Sequence, residues 1–528
     1  MKTKEMILND AQRCLMCHLP ACDRACPAGT APSGIIQALH LENEEGARRQ
    51  AAARTQCLTC KVPRCEQACA RRHTDHALHI REICRTLGAA ASCSCTPPAA
   101  SAPTAPTAPH APTGLALSFC GVQCQNPFFL ASSPVASSFD MCRRAFDAGW
   151  AGISYKTISF YHSREVSPRF HSLPASRPAT FGGFKNLEQL SPRPAEENFD
   201  VLSRLKAQYP EKVIIASIMG QTEEEWTRLA RMAEEAGADL IECNFSCPQM
   251  AKQGLGSDIG QDPELIALYT RAARQGSRLP LIAKMTPNIG NMELPAIAAT
   301  ANGADALAAI NTIKSITGIH PGNFSSYPDI AGRSAVGGYS GRAVKPIALR
   351  FVRDLAAYPP LAGIPLFGIG GITTWRDALD FLLLGCTAVQ VCTAVMEYGY
   401  RIIRHLTEGL SAYMQQHGYR SVDELRGLAL PHIVLPEQLD RNRQLHAVIH
   451  RRHCIGCGRC HLSCQDGGHQ AIRLERLRPE VDHARCVGCG LCTLVCPTGA
   501  CRLEEETPAG ADTRDRKPVG GLRKMPHI

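Results

Sequence analysis

This sequence of 528 residues lacks several features that would by themselves assign a protein to a class. No apolar stretch approaches the ~20 residues that span a bilayer, so we expect no membrane-spanning helix. Basic and aromatic residues are not interleaved as they are in a nucleic-acid binding site. The 57 basic and 48 acidic side chains instead favour a solvated surface of mixed charge. The opening MKTKEMILND lacks the apolar run and cleavage site of a secretory signal, which predicts a cytoplasmic location.

Cysteine, in contrast, is abundant, with 27 residues. In a small secreted chain so many cysteines would form disulfides, whereas in a cytoplasmic chain we expect them to be reduced and bound to metal. A chain of this length is too long for one hydrophobic core and suggests roughly three units.

Eight cysteines near the C-terminus fall in two runs with one spacing, C-x2-C-x2-C-x3-C, and a proline follows the second run. This pattern is typical of a two-cluster bacterial ferredoxin, in which the fourth cysteine of each run binds the other cluster. Zinc sites use paired knuckles a dozen or more residues apart, so zinc is the poorer interpretation. One predicted [4Fe–4S] cluster is held by Cys454, Cys457, Cys460 and Cys496, and its neighbour by Cys486, Cys489, Cys492 and Cys464.

A linker biased to Pro, Ala and Thr separates a cysteine-rich head from the rest of the chain. Such a composition does not build a core and is expected to form a semi-rigid tether. We place the head at residues 1–92 and the linker at 93–114. The head holds two similar blocks, residues 13–26 and 56–69, each with cysteines at x2, x4 and x3 intervals and helical periodicity around them. We therefore predict a small helical module built around metal.

From residue 115 to 430, short apolar runs alternate with amphipathic helical stretches. Eight such units favour an α/β fold, a (β/α)8 TIM barrel. A doubly wound sheet is the weaker alternative, because no GxGxxG motif follows the first strand. The absence of this motif also argues against a Rossmann module that binds NAD(P)H. The predicted strands lie in residues 128–133, 151–159, 212–220, 239–247, 280–287, 306–313, 365–372 and 388–395. Residues 431–508 are predicted to form the ferredoxin domain, and 509–528 a polar tail.

The carboxyl ends of barrel strands form the active site in enzymes of this fold, and here they carry polar residues and glycines. Strands seven and eight, with glycines after strand seven, form the usual phosphate cradle of such barrels, where backbone N–H groups approach a phosphate closely. A lysine beside such a cradle suits the anionic reduced ring of flavin mononucleotide (FMN). The residues at these strand ends are Lys156, Thr157, Asn244, Ser246, Cys247, Lys284, Asn311, Thr312, Gly370, Gly371, Cys392 and Thr393.

Several stretches of the barrel and ferredoxin regions resemble one protein family. NPFFLASSPVASS, ECNFSCPQM, AAINTIKSITGI and CIGCGRCHLSCQDGGHQAI closely resemble the pyrimidine-reducing part of dihydropyrimidine dehydrogenases, both the bacterial subunit and the C-terminal half of the eukaryotic single chain. The resemblance runs from residue 115 to 502. It implies reduction of uracil or thymine to the 5,6-dihydro base, with FMN in a barrel like that of dihydroorotate dehydrogenase.

The resemblance also implies roles for single residues. Cys247, in NFSCP, would be the general acid that protonates C5 while reduced flavin gives hydride to C6, and a thiol with a pKa of ~8.5 is mostly protonated at neutral pH. Amide side chains offer donors and acceptors to the edge of an uncharged pyrimidine. The implied substrate contacts are Asn186, Asn244, Ser246, Asn311 and Thr312. The implied flavin contacts are Ser132, Lys156, Thr157, Lys284, Gly341, Ile369, Gly370, Gly371, Cys392 and Thr393.

The head resembles a different part of that family, the N-terminal two-cluster domain that normally accompanies the FAD- and NAD(P)H-binding half. By this resemblance, one [4Fe–4S] cluster is held by Cys14, Cys17, Cys22 and Cys69. The other is held by Cys26, Cys60, Cys65 and a fourth ligand, for which we favour Cys84 over Cys57. Zinc stays an alternative in the head because C-x2-C pairs recur. The FAD-binding half has no counterpart in this sequence, which implies a hetero-oligomer with a separate FAD/NAD(P)H-binding flavoprotein subunit, or a ferredoxin as the electron donor.

Two other functions stay open from the sequence. One is a non-catalytic electron-wiring subunit whose flavin is only a relay. The other is a dihydroorotate dehydrogenase-like enzyme that acts on a different cyclic amide. A relay needs neither a proton donor nor amides that face the flavin, so the NFSCP and INT motifs count against it.

Overall fold

The computed structural model describes residues 4–91, 114–162, 164–174, 180–246 and 256–505. The chain forms two compact units, residues 1–432 and 433–528. The first unit contains the head and the barrel, and the second contains the C-terminal cysteine motifs. Among the described residues, no helix combines the length and the apolar character needed to cross a bilayer.

The head is helical, as its periodicity predicts. Ile35, Ile36 and Leu39 are buried in its core, and Asn43 caps the following helix by accepting a hydrogen bond from the Gly46 N–H at 3.0 Å. The two cysteine blocks place α2 and α6 against each other. The head helices are α1 (Lys4–Ala11), α2 (Ala21–Arg24), α3 (Ser33–His40), α4 (Glu44–Ala52), α5 (Gln56–Thr59), α6 (Arg64–Gln67) and α7 (Ile80–Ala91).

An antiparallel strand pair, β1 (Leu117–Phe119) and β2 (Val122–Cys124), precedes the barrel. The Phe119 ring stacks on Phe367 inside the barrel with ring centroids 4.1 Å apart. The pair therefore adds its apolar residues to one of the barrel's core clusters.

Eight parallel strands close into a barrel, which confirms the predicted fold and shows that the doubly wound alternative is wrong. Each strand lies inside one of the predicted apolar runs, and every strand residue is buried, as expected for strands covered on both faces. Numbered along the chain, the barrel strands are β3 (Phe128–Leu130), β4 (Gly152–Ser154), β7 (Val213–Ile218), β8 (Leu240–Asn244), β9 (Leu281–Lys284), β10 (Ala306–Ala309), β13 (Leu366–Ile369) and β14 (Ala388–Val391).

Amphipathic helices cover the barrel. In α10, Trp226, Leu229, Ala230 and Ala233 are buried at helical spacing, and the Thr222 side chain caps the first turn. The helices of this region are α8 (Phe139–Ala148), α9 (Ala195–Gln208), α10 (Glu223–Glu235), α11 (Pro263–Gly276), α12 (Glu293–Thr300), α13 (Lys345–Ala357), α14 (Trp375–Leu383), α15 (Thr393–Tyr398) and α16 (Ile403–His417).

Two insertions, after β4 and after β10, form a separate antiparallel sheet in the order β11-β12-β6-β5. Its strands are β5 (Phe170–Pro174), β6 (Phe181–Asn186), β11 (Ile313–Ser315) and β12 (Gly337–Ser340). Strands β6 and β12 pair with Asn186 opposite Gly338. The sequence analysis did not predict this sheet, which brings Asn186 to the mouth of the barrel.

The described part of the second unit, residues 433–505, contains two small antiparallel pairs and two short helices. Strand β15 (Leu445–Ile449) pairs with β18 (Cys501–Glu505), and β16 (Ile472–Glu475) pairs with β17 (Arg478–Val481). The helices α17 (Arg459–Gly467) and α18 (Leu491–Leu494) each begin inside a cysteine motif.

Candidate active site

One pocket opens at the carboxyl ends of the barrel strands, and it contains nearly all of the predicted site. All ten predicted flavin contacts line it: Ser132, Lys156, Thr157, Lys284, Gly341, Ile369, Gly370, Gly371, Cys392 and Thr393. So do four of the five predicted substrate contacts, Asn186, Asn244, Asn311 and Thr312. Ser246 is fully buried behind them, and Cys247 lies outside the described residues.

The amides at the ends of β8 and β10 hold one another in place. Asn311 Nδ2 donates to Ser246 Oγ at 2.7 Å and to Asn244 Oδ1 at 3.2 Å. Asn244 Nδ2 in turn donates to Thr157 Oγ1 at 2.9 Å. The network fixes the orientation of both amides, so they present a defined set of donors and acceptors to the pocket.

The two lysines of the pocket each face a carboxylate that sequence reasoning missed. Lys156 Nζ lies 2.9 Å from Glu188 Oε2, and Lys284 Nζ lies 3.2 Å from Glu242 Oε1. Gln390 Nε2 donates to Glu242 Oε2 at 3.0 Å. All five side chains are nearly fully buried, so these ion pairs are shielded from water.

A period-two signal could have located two of these residues. Glu242 and Gln390 each stand two positions before a predicted strand-end residue, Asn244 and Cys392, and alternate residues of a strand share a face. A polar residue at such a position in an otherwise apolar strand points toward the barrel interior, and Gln390 also lines the pocket. No comparable local signal marks Glu188.

The glycine cradle lies beside β13 and β14. Gly371 has φ +75°, and a Cβ there would lie 3.0 Å from the Lys345 N and 3.1 Å from the Gly341 O. At Gly370, with φ +128°, a Cβ would lie 2.9 Å from the Ala348 Cβ. Only glycine suits these positions, and it leaves backbone close to the pocket, as a phosphate group requires.

The pocket therefore fits flavin mononucleotide. The cradle suits its phosphate, and the paired lysines suit the polar edge of its ring. Burial raises the pKa of the Cys392 thiol, so this pocket-lining side chain stays neutral near pH 7.

The eight predicted ferredoxin ligands all lie in the second unit. Cys460, Cys464 and Cys492 are buried, whereas Cys457 and Cys489 are exposed. Four glycines of the two motifs have positive φ and let the chain turn tightly between ligands: Gly456, Gly458, Gly488 and Gly490. Thiolates are the ordinary ligands of iron–sulfur clusters, so the donor set fits the two predicted clusters.

Backbone N–H groups and a ninth cysteine surround these thiols. The Ala447 N–H donates to Cys486 Sγ at 3.4 Å, and the Ala471 N–H donates to Cys464 Sγ at 3.3 Å. The buried Cys501 thiol lies beside both Cys460 and Cys492 and can donate its one proton to either, which lowers the pKa of both. Sequence reasoning missed Cys501 because it lies outside the motif spacing. Such hydrogen bonds to sulfur tune cluster potential.

The head cysteines form two groups. The first group is Cys14, Cys17, Cys22 and Cys69. Burial, with the neighbouring side chains of Cys17 and Cys69, raises the pKa of Cys14 to about 11. Burial, with Asp23, Cys14 and Cys69, raises that of Cys22 to about 12. The structure thus brings together the four ligands predicted for one cluster.

The second group is Cys26, Cys57, Cys60, Cys65 and Cys84. The Cys84 thiol hydrogen-bonds Cys57 and lowers the pKa of Cys57 to about 6. Both candidates for the fourth ligand therefore lie in the group. Among the described residues, no three His, Cys, Asp or Glu side chains are placed to hold a single metal ion.

Comparisons with known proteins agree with this architecture. The family model of dihydroorotate dehydrogenase matches residues 114–414, and that of a 4Fe-4S dicluster domain matches 447–503. The NAD-dependent dihydropyrimidine dehydrogenase subunit PreA of Escherichia coli K12 is 53% identical over 358 residues, which cover 68% of this chain and 87% of that protein.

More distant relatives have related names. The chloroplastic dihydropyrimidine dehydrogenase (NADP(+)) of Arabidopsis thaliana is 36% identical over 349 residues, 64% of this chain and 82% of that protein. The catalytic subunit of dihydroorotate dehydrogenase B (NAD(+)) of Pyrococcus abyssi is 39% identical over 318 residues, 60% of this chain and 99% of that protein. A solved dihydroorotate dehydrogenase from Eimeria tenella shares the fold, with TM-score 0.50 and 19% identity over 60% of this chain and 88% of that one.

Proposed function

Since the chain belongs to the dihydroorotate dehydrogenase family and is an oxidoreductase acting on CH–CH groups, we propose that it reduces the 5,6-double bond of uracil or thymine in pyrimidine base catabolism. The observation that carries this proposal is the set of interlocked amides, Asn244 and Asn311, which line the flavin pocket together with Asn186. Neutral donors and acceptors match the uncharged edge of a pyrimidine base.

The charges of the pocket favour a neutral base over a carboxylated one. Lys156 and Lys284 each pair with a carboxylate, Glu188 and Glu242. Glu188 also pairs with Arg169 at 2.8 Å, but Arg169 does not line the pocket. Arg342 also lines the pocket, beside Gly341 of the phosphate cradle. Orotate carries a carboxylate, which would need an unbalanced cation next to the amides. A dihydroorotate dehydrogenase-like activity, suggested by the Pyrococcus relative, is therefore the second candidate.

FMN is the proposed cofactor, and when bound it supplies hydride to C6 of the base. The residues that would hold it are the ten flavin contacts named above, with the glycine cradle at the phosphate. Asn186, Asn244, Asn311 and Thr312 would orient the base, and Ser246 would support Asn311 through its 2.7 Å hydrogen bond.

Cys247 would deliver the proton to C5. It directly follows Ser246 in the sequence, and Ser246 is fully buried beside the amide network. A positioned general acid is typically worth ~10²–10⁴-fold in rate.

Electrons would reach the pocket through [4Fe–4S] clusters, two in the C-terminal dicluster domain and two in the head. The sequence has no Gly-rich dinucleotide motif, and the Escherichia coli relative is named a subunit. We therefore expect a separate FAD/NAD(P)H-binding flavoprotein subunit or a ferredoxin as donor, and little oxidation of NADH or NADPH by the isolated chain.

The decisive experiment is an anaerobic titration of the reduced protein with uracil, thymine and orotate while the flavin spectrum is recorded. Reoxidation by uracil or thymine supports the proposal, whereas reoxidation by orotate alone favours the second candidate. Cys247→Ala should abolish turnover and keep flavin and iron. Cys243→Ala is the matched control, since this thiol is buried in the barrel core on the same chain segment and does not line the pocket. Wild-type turnover in Cys247→Ala would contradict the proton-donor role.

A further inference from the structure

One arginine, Arg342, stands at the edge of the glycine cradle. It directly follows Gly341, whose carbonyl oxygen lies 3.1 Å from the position that a Cβ on Gly371 would take. The Arg342 side chain lines the same pocket as both glycines. The fold thus places a guanidinium beside the backbone N–H groups that suit a phosphate.

This guanidinium has few partners in the protein. Its Nη2 donates to the Tyr398 hydroxyl at 3.1 Å, and its buried Nε has no hydrogen-bond partner among the described residues. The ion pairs found within the described ranges do not include Arg342. Because a guanidinium carries five N–H donors, Arg342 keeps donors for a ligand of the pocket.

The neighbouring cation of the cradle, in contrast, is already paired. Lys345 Nζ lies 2.6 Å from Asp377 Oδ1 and 2.6 Å from Asp380 Oδ2. A phosphate monoester carries about 1.5 to 2 negative charges at pH 7, and a buried anion is stable only beside a compensating charge and donors. Within the described part of the chain, Arg342 is the cation that this end of the pocket leaves for a phosphate.

One carboxyl group of the pocket competes for this arginine. Glu397 lines the pocket, and its charge acts on Arg342. However, Glu397 Oε1 accepts a hydrogen bond from the Phe181 N–H at 3.3 Å, and burial raises the pKa of the carboxyl. An anion placed nearby raises that pKa further, so Glu397 takes up a proton more readily and is the weaker partner for Arg342.

Tyr398 holds the guanidinium in place. Only 6% of this tyrosine is exposed, and its ring packs edge-on against His40 of the head, with ring centroids 5.6 Å apart. Burial raises the pKa of Tyr398, so the hydroxyl that accepts from Arg342 stays neutral. A fixed and neutral acceptor orients the arginine without balancing its charge.

We propose that Arg342 binds the phosphate of FMN and that Tyr398 is its positioning residue. The inference rests on the proposed function for the presence of FMN. The glycines supply backbone donors, and Arg342 supplies the charge that the glycines lack. The chain should therefore prefer FMN to riboflavin, which has the same ring and ribityl chain but a hydroxyl group in place of the phosphate. This preference should depend on Arg342.

The test compares the two flavins on the full chain. Protein that keeps its iron–sulfur clusters is freed of flavin anaerobically by dialysis against potassium bromide, and it is titrated with FMN or riboflavin while flavin fluorescence is recorded. Arg342→Met removes the charge, whereas Arg342→Lys keeps the charge without the planar fork. Arg350→Met is the matched control, since the half-exposed Arg350 on α13 pairs with Asp354 at 2.6 Å and does not line the pocket.

We expect Arg342→Met to weaken FMN binding by about 10- to 100-fold, the range for a lost hydrogen bond to a charged group. Its affinity for riboflavin should match that of Arg350→Met, because riboflavin has no phosphate to bind. Arg342→Lys should keep part of the preference for FMN. Tyr398→Phe should lose part of it, with unchanged affinity for riboflavin.

Two results would overturn the inference. One is an Arg342→Met variant that keeps the wild-type preference for FMN. The other is an equal loss of affinity for both flavins, which would make Arg342 a structural partner of Glu397 instead. A wild-type chain that binds both flavins equally would refute the FMN assignment together with the inference.

A second measurement separates this inference from the proposed function. Dithionite-reduced wild type and Arg342→Met, both saturated with FMN, are mixed with uracil. Equal reoxidation is expected, because Arg342 acts at the phosphate and not at the ring. Failure of both proteins to react would count against the pyrimidine reductase, while the flavin titrations would still decide the role of Arg342.

Discussion

Replacement of Glu242 by glutamine removes one charge from the most buried ion pair of the pocket and hardly changes its shape. Glu242 has no exposed surface, lies 3.2 Å from Lys284 Nζ, and accepts a hydrogen bond from Gln390 at 3.0 Å. In Glu242→Gln the Lys284 ammonium would lose its counter-charge in a site where water does not replace it. We expect a large loss of barrel stability from this single substitution.

The size of the loss follows from the burial of the pair. Breaking a buried pair by neutralising one partner typically costs ~3–5 kcal/mol, because the other charge stays uncompensated. At roughly 2–4 °C per kcal/mol for a large domain, the melting temperature should fall by about 6–20 °C. Asp140→Asn is the control: it removes an exposed pair with Arg143 at 2.7 Å, and exposed pairs are worth only ~0.2–1 kcal/mol.

Tryptophan fluorescence isolates the barrel in this measurement, because the three tryptophans of the chain, Trp150, Trp226 and Trp375, all belong to it. Thermal unfolding is recorded for wild type, Glu242→Gln, and the double variant Glu242→Gln with Lys284→Met. The double variant should recover most of the loss, since it leaves no lone buried charge. A melting temperature for Glu242→Gln as high as that of Asp140→Asn would refute the reasoning, and so would a double variant no more stable than Glu242→Gln.

Three further predictions follow from single sites. Gly371→Ala should fold but bind much less FMN, because the φ of +75° at this position and the 3.0 Å approach to the Lys345 N leave no room for a Cβ. The measurement is the flavin content per protein, and a full flavin content would contradict the role of the cradle. Burial lowers the pKa of His405 to about 4, whereas the unfolded value is ~6.5. The free energy of unfolding should therefore fall as the pH drops from 6.5 toward 4, and the loss is about 2 kcal/mol at pH 5. His405→Leu should therefore show a flatter decline of the unfolding midpoint between pH 7 and pH 5, and an unchanged decline would contradict this. Cys84→Gln should keep the second head cluster and raise its reduction potential, whereas Cys57→Ser should change neither iron content nor spectrum; cluster loss in Cys57→Ser, with none in Cys84→Ala, would reverse the ligand assignment.

The barrel was predictable because its signals are local. Strands buried on both faces read as apolar runs, and all eight predicted runs contain a barrel strand. Parallel strands in a barrel also end at one rim, so residues as distant in sequence as Lys156 and Thr393 could be assigned to one site before any contact was known. The cysteine motifs were equally readable, because ligand spacing is a property of a few consecutive residues.

The partners of the charged residues could only be seen in the folded chain. Glu242 pairs with Lys284, 42 positions away, and with Gln390, 148 positions away, and the intervening strands decide that they meet. The same holds for the sheet of β5, β6, β11 and β12, which joins two separate insertions. The packing of the head on the barrel belongs to this class as well. The buried Met16 and Leu41 and the contact between Glu42 and Trp375 depend on surfaces that exist only after both parts have folded. Residues 93–113 of the Pro-rich linker predicted between the two parts lie outside the described residues, so its prediction as a tether stays a prediction.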